Sequence, residues 1–164
     1  MRCFARSILM LMSICVIPTV RAAEPKISAL RIVLVSSRDD LRRSCRFAGD
    51  LYACTAFESR KLEAACIAAG GERWAMIASG NAQPVVYLWD AIWLGHERLH
   101  ISDVESSLRE YIAQLERRRY ASESDCLRAA GADVAGFPRQ LDIFAAASND
   151  LRHYKHTARN QAAK

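Results

Sequence analysis

The chain has 164 residues, of which 51% are hydrophobic and 25% are charged, and its formal net charge is +5. This length suits a single domain with a hydrophobic core. The positive charge does not indicate a nucleic-acid-binding protein, because the arginines are mostly interleaved with acids, as in LREYIAQLERRRY, and the sequence has no platform of aromatic and basic residues. We therefore expect no nucleic-acid partner.

Residues 1–22 have the three-part layout of a secretory signal peptide. Residues 1–6 carry two arginines and no acid, residues 7–20 are almost wholly apolar, and Val20-Arg21-Ala22 resembles a cleavage site. The apolar run is too short to span a bilayer comfortably and Pro18 interrupts it, so we expect no stable membrane anchor. The sequence therefore predicts a periplasmic or secreted protein.

Removal of residues 1–22 leaves 142 residues with a net charge near +2. Much of the positive charge therefore belongs to the predicted export signal.

We predict that residues 23–156 form one domain and that residues 157–164 form a polar C-terminal tail.

The first part of the mature chain contains short runs of strand-forming residues. A β-branched run predicts a strand over residues 32–35, and Ser36-Ser37 followed by two acids predicts a short helix that runs to Cys45. A turn over residues 46–50 then leads to a second strand over residues 51–57.

The next segment is rich in good helix formers. Residues 58–69 predict a helix, with a strand around Cys66-Ile67 as the alternative, and Gly70-Gly71 ends this element. A short apolar run then stops at a turn over residues 79–81. Pro84 opens a strand formed by VVYLW, where its missing N–H removes no hydrogen bond of the sheet.

Helical periodicity dominates the second half of the chain. Asp90 is the predicted N-cap of a long helix, in which apolar residues recur at Ile92, Leu99, Val104, Leu108, Tyr111, Ile112 and Leu115. Ser122 and Ser124 flank the start of a further helix, and Pro138 opens the last one. This order predicts an α+β fold, with a small N-terminal sheet packed on the long helix and on further C-terminal helices.

Four cysteines remain in the mature chain, namely Cys45, Cys54, Cys66 and Cys126. An even number in an exported protein predicts two disulfides, and the absence of a CxxC pair argues against a thiolate zinc site. Of the three possible pairings we favour Cys45–Cys54, which closes a short loop, and Cys66–Cys126, which ties the N-terminal half to a later helix. Reduced, buried cysteines are the alternative.

The stretch WLGHERLH lies inside the long predicted helix. His96 and His100 are one helical turn apart on the same face, so both imidazoles can point at one ion. Glu97 lies one step around the helix, where it can hold a water that the ion binds. In such a site zinc acidifies the water and polarises a carbonyl, and the glutamate accepts the proton. The alternative is a solvated helix face with Glu97 and Arg98 directed outwards.

This HExxH helix resembles that of the zincin metalloproteases. The longer stretch WDAIWLGHERLHISDVESSLREYIAQLERRR is similar to the active helix of a family of predicted bacterial secreted zinc-dependent proteases of otherwise unknown function. The resemblance covers about the second half of the chain and is strongest at His96, Glu97 and His100. It implies a zinc-dependent metallopeptidase that acts on a peptide or protein substrate, with two histidine ligands and Glu97 as the catalytic residue.

A catalytic zinc takes three protein ligands and keeps one position open. We expect His153 to complete the site, with His156 and Asp103 as alternatives. Asp103 lies one turn beyond His100, so we expect it to orient that histidine or to be a surface acid. The two later histidines could instead belong to an exposed basic helix end.

Two other kinds of protein fit the same residues. One is a non-enzymatic, disulfide-stapled binding domain in which HERLH is surface. The other binds zinc for structure alone. Metal content separates the peptidase from the first, and the behaviour of Glu97 variants separates it from the second.

We predict that the exported protein begins near Ala23 and contains no free thiol, because the signal peptide is removed and the four remaining cysteines pair. Mass spectrometry of the exported protein, with and without reductant before alkylation, measures both properties. An intact Met1, or four cysteines that alkylate without reductant, would contradict the prediction.

Overall fold

The computed structural model describes residues 26–45 and 52–162, with side chains described as far as residue 153. The predicted signal peptide, the predicted turn over residues 46–50 and the side chain of His156 lie outside the described residues. In chain order the elements are β1 (Lys26–Ile27), β2 (Arg31–Leu34), α1 (Arg38–Cys45), β3 (Ala53–Ala69), β4 (Arg73–Leu88), a single 3-10 turn (Ala91–Trp93), α2 (Leu94–Arg117), β5 (Arg119–Tyr120) and α3 (Glu123–Ala162).

A long antiparallel hairpin of β3 and β4 forms the body of the five-stranded sheet. Its turn contains Gly70 and Gly71 at φ values of +69° and +78°, a conformation that glycine adopts without strain. Successive side chains of a strand alternate between the two faces of the sheet. Residues Met76, Ala78 and Ala82 of β4 therefore share one face, and all three belong to the main hydrophobic core.

The prediction of a helix over residues 58–69 is wrong, since these residues continue β3 and pair with β4. The turn predicted over residues 79–81 is also wrong, because these residues lie inside β4. A β-bulge between Glu58 and Lys61 shifts the register, so that Phe57 and Leu62 both reach the core despite their odd spacing. The bulge breaks the two-residue alternation in the sequence, and cross-strand pairing then overrides the helix propensity.

The second edge of β4 is shared by three short strands, with β5 pairing near its start and the parallel β1 and β2 further along. Pro84 lies inside β4 rather than at its start, which corrects the prediction. On this edge Ala82 is the last residue that pairs with β1, and Val85 is the first residue that pairs with β2. Pro84 lies between these two residues. A residue without an N–H is tolerated there because neither short strand pairs with it.

Helices α2 and α3 cover one face of the sheet and enclose the main core. Its fully buried members include Leu108 and Leu115 of α2, Phe137 and Leu141 of α3, and Met76 of β4. The fold is therefore α+β, with a mixed sheet packed on the long HExxH helix and a C-terminal helix, which confirms the prediction. Within the described residues, the helices lack the length combined with apolarity that crossing a membrane requires.

Helix α3 is continuous from Glu123 to Ala162, so the prediction that Pro138 opens a separate helix is wrong. The helix begins after Ser122, whose Oγ accepts a hydrogen bond from the N–H of Asp125 at 3.1 Å. A proline inside a helix costs about 3 kcal/mol in lost hydrogen bonding and steric strain. Here the neighbouring Phe137 and the nearby Leu141 are buried in the core, so packing holds the helix together through the proline.

Two disulfides tie the helices to β3, and both have the predicted pairing, Cys45–Cys54 and Cys66–Cys126. The first joins the end of α1 to the beginning of β3, and the second joins β3 to the first turns of α3. Leu41 of α1 is fully buried against the hairpin. These bridges are typical of an extracellular or otherwise oxidising compartment.

Gly80 marks the closest approach of the helices to the sheet. A Cβ at this position would lie 3.1 Å from the Cδ1 atoms of Leu108 and Ile112 and 3.5 Å from Cζ of Phe137. We predict that Gly80→Val lowers the free energy of unfolding by about 1–3 kcal/mol through overpacking. Urea denaturation followed by circular dichroism measures the change.

The matched control is Ser79→Val, which places a valine at the residue of β4 just before Gly80, on the opposite face of the sheet. We expect this variant to remain close to wild type in stability. Equal midpoints for the two variants would show that the helices can move away from Gly80 without cost.

Candidate metal centre

Helix α2 follows β4 in the chain, with only the 3-10 turn and two residues between them. Asp90 caps the 3-10 turn that precedes α2, since its Oδ1 accepts a hydrogen bond from the N–H of Ile92 at 3.0 Å. The prediction that Asp90 is the N-cap of the long helix itself is corrected, because Trp93 holds that position without a side-chain hydrogen bond. Leu94 and Ile101 then pack on a small buried cluster formed by Ala53, Val86 and Leu88. This packing fixes the rotation of the helix and therefore the directions of the side chains of HERLH.

Three histidines converge at this end of the molecule, two from α2 and one from α3. Nε2 of His96 lies 3.1 Å from Nε2 of His100, and the ring of His153 is centred 5.2 and 5.4 Å from their rings. Each of the three rings offers one nitrogen that could bind a metal, and these three nitrogens lie within 4.8 Å of one another. His96, His100 and His153 are therefore close enough to hold a metal ion.

The three imidazoles differ in their exposure to solvent. His100 is buried, His96 is half-buried and His153 is exposed. Burial, together with the neighbouring His96 and His153, lowers the pKa of His100 to about 4. His100 is therefore neutral at neutral pH, which is the protonation state that a metal ligand needs.

Asp103 lies outside the histidine cluster and reaches His100 through one intervening side chain, Ser148 of α3. Nδ1 of His100 lies 2.9 Å from Oγ of Ser148, and this hydroxyl donates to Oδ2 of Asp103 at 2.9 Å. Arg152 donates to both oxygens of Asp103, at 2.7 and 2.5 Å, and lowers the pKa of that carboxyl. The orienting role expected for Asp103 is therefore indirect, and Asp103 is neither a ligand in this group nor an isolated surface acid.

This chain of hydrogen bonds determines which nitrogen of His100 carries the proton. An ionised carboxylate only accepts hydrogen bonds, so Ser148 must donate to Asp103. The serine oxygen is then available to accept from His100, whose Nδ1 carries the hydrogen. Nε2 is left with a free lone pair, and this is the nitrogen that faces His96.

The side chain of Glu97 is buried between α2, to which it belongs, and β3, and 4% of the residue's surface is exposed. Its Oε2 accepts a hydrogen bond from the hydroxyl of Thr55 in β3 at 2.7 Å. Burial raises the pKa of Glu97, and the hydrogen bond from Thr55 opposes this effect. The alternative in which both Glu97 and Arg98 are solvated therefore fails for Glu97, whereas Arg98 is exposed.

A run of aromatic rings borders the histidines on one side. Trp93 contacts His96 edge to face at a centroid distance of 6.4 Å and stacks on Tyr52 at 5.3 Å. Tyr52 also stacks with Trp89 at 6.1 Å, and the guanidinium of Arg38 lies over both of these rings. These residues were not identified from the sequence, because they come from three separate segments.

Comparison of the chain with protein-family models, with curated proteins and with solved structures gives no match. The resemblance of the HExxH helix to secreted zinc-dependent proteases therefore stays a prediction.

We predict that Ser148→Ala weakens the binding of a metal ion at the three histidines by about 10- to 100-fold, because His100 loses the partner that orients its ring. A competition titration against a chromophoric chelator measures the affinity. Ser148→Thr keeps the hydroxyl and should restore most of the affinity.

The matched control is Ser107→Ala, which removes a half-buried helical hydroxyl whose hydrogen bond stays within its own helix, to the carbonyl of Asp103 at 3.0 Å. We expect this change to leave the metal affinity near that of wild type. If Ser148→Ala and Ser107→Ala bind the metal equally well, Ser148 does not position His100.

Proposed function

We propose that this protein is a secreted or periplasmic zinc-dependent metallopeptidase. The observation that supports this proposal best is that His153 of α3 meets His96 and His100 of α2, the helix that also carries the buried Glu97, although His153 lies 53 residues after His100 in the sequence. If His96 and His100 were merely part of a solvated helix face, His153 of α3 would not be expected to lie next to them.

Zinc is the metal that best fits these donors. Zinc accepts imidazole nitrogens at about 2.0–2.1 Å, and two such ligands on a tetrahedral ion are about 3.3–3.4 Å apart. The Nε2 atoms of His96 and His100 are 3.1 Å apart, close to that separation. A set of three neutral nitrogen ligands without thiolates or carboxylates also favours zinc over calcium or magnesium.

The exposure of the ligands supports a catalytic rather than a structural metal. Structural zinc sites are closed by four protein ligands, whereas catalytic sites keep a position open to water or substrate. The described side chains supply three histidines, and the exposed His153 leaves the cluster accessible from solvent.

Bound zinc would supply an acidified water and a polarised substrate carbonyl. Glu97 is the proposed general base, whose carboxylate accepts a proton from the attacking water and returns it to the departing amine. A pKa raised by burial suits this role, since a base works best when its pKa approaches the operating pH. Thr55 holds one carboxylate oxygen and thereby restricts the orientation of the group.

We expect His96→Ala and His100→Ala to lose zinc, and to lose the stability that bound metal adds to the folded state. Glu97→Gln retains the side-chain shape and all three histidines. It should therefore keep zinc while turnover falls by about 100-fold or more. Elemental analysis measures the zinc, and cleavage of a mixed peptide library measures the activity.

Glu110→Gln is the matched control, because it makes the same chemical change at an exposed position of α2. We expect this variant to match wild type in both assays. A wild-type protein that cannot be loaded with zinc would favour the binding domain. Zinc retained by a Glu97→Gln variant with unchanged activity would favour a structural metal.

A further inference from the structure

One end of the sheet and the turn that follows β4 expose several large apolar side chains. Leu34 is 69% exposed, Ile92 75%, Trp89 43% and Tyr52 41%. Leu34, Trp89 and Tyr52 come together because Leu34 pairs with Leu88, the residue before Trp89, and because the N–H of Trp89 donates to the carbonyl of Tyr52 at 3.1 Å. Ile92 follows Trp89 by three residues, in the 3-10 turn. We call Leu34, Tyr52, Trp89 and Ile92 the sheet-end surface.

The sheet-end surface is continuous with the metal centre. From His96 the ring centroids of Trp93, Tyr52 and Trp89 follow at successive distances of 6.4, 5.3 and 6.1 Å, so the path is at most about 18 Å long. An extended polypeptide advances about 3.3 Å per residue, so about five residues would cover it. A chain held at the histidines can therefore reach every ring of the run.

The rings are held in place before any ligand arrives. Tyr52 lies nearly parallel to Trp89 and Trp93, with interplanar angles of 16° and 18°, and Arg38 packs over two of the rings. Rigid aromatic groups lose little conformational entropy when they bind a partner. Exposed apolar groups gathered in one place are typical of binding sites.

We propose that the sheet-end surface binds large apolar side chains of an unfolded polypeptide, within about five residues of the bond that is cleaved. This inference rests on the proposed peptidase function and adds a substrate class to it. The substrate class is a chain with exposed aromatic or large aliphatic residues, as in an unfolded protein. Compact, folded proteins bury such residues and would not present them.

Other occupants fit this surface less well. Anionic lipid would require unpaired cationic groups, yet Arg42 and Arg43 of the adjacent α1 pair with Asp39 and Asp40. A second copy of this chain would require about 800 Å² from each partner, which four partly exposed side chains do not supply. A single extended polypeptide segment needs only a narrow strip of rings.

The test compares two peptides with the zinc-loaded protein. The first is a peptide that wild type cleaves and that carries Phe or Leu within five residues of the cleaved bond. The second is the same peptide with those residues replaced by Ser. We expect wild type to prefer the first by about tenfold or more in kcat/KM. In the double variant Leu34→Ser, Ile92→Ser this ratio should fall towards one, mainly through a higher KM.

The matched control is Leu127→Ser, Ile143→Ser, which removes two apolar side chains that are 53% and 50% exposed on α3. This variant should keep the wild-type ratio. Both pairs of substitutions lie at exposed positions, and thermal unfolding of each variant checks that the fold is retained.

The outcomes separate the two proposals. If zinc-loaded wild type cleaves no peptide, the peptidase function is wrong, and the substrate class is wrong with it. If wild type cleaves both peptides and the ratio is the same in the two double variants, the peptidase stands and the sheet-end surface does not select substrate. A membrane would be the occupant under a different pair of results. Wild type and the control variant would sediment with phosphatidylglycerol vesicles while the Leu34→Ser, Ile92→Ser variant would not, and the kcat/KM ratio of the two peptides would be unchanged.

Discussion

The ion pair between Arg152 and Asp103 is the interaction on which the candidate metal centre depends. Both hydrogen bonds of this pair join α3 to α2, and Ser148 adds a third link between the same helices. His153 follows Arg152 directly, so the pair determines where the third histidine lies. A bidentate arginine–carboxylate contact has a defined geometry, which a lysine at this position would not reproduce.

The local part of this centre could be predicted from the sequence, and the long-range part could not. The spacing of His96, Glu97 and His100 reflects the period of one helix, which is visible in the letters. His153 could be named because the chain has four histidines in all. Ser148 and Thr55 have no motif around them, and their roles arise only when distant segments pack together.

The fold follows the same division. Caps depend on neighbouring residues, and Ser37 and Ser122 lie at helix starts as expected, whereas Asp90 caps the 3-10 turn just before the helix expected to follow it. The strand over residues 58–69 depends on a partner strand, so its helix-forming composition was misleading. The prediction at Pro138 is wrong for a related reason, since the core contacts that stabilise α3 on both sides of this proline come from other elements.

Helix α3 is held near its start by the Cys66–Cys126 disulfide and near its end by the hydrogen bonds of Ser148 and Arg152 to Asp103. An ion at the histidines, as proposed, would add His153 to the contacts at that end. The first contact is covalent, whereas the contacts at the other end are non-covalent and weaken when the ion leaves. Withdrawal of metal is then expected to loosen the molecule locally, beside the histidines, while the sheet and the disulfide-bound half keep their structure.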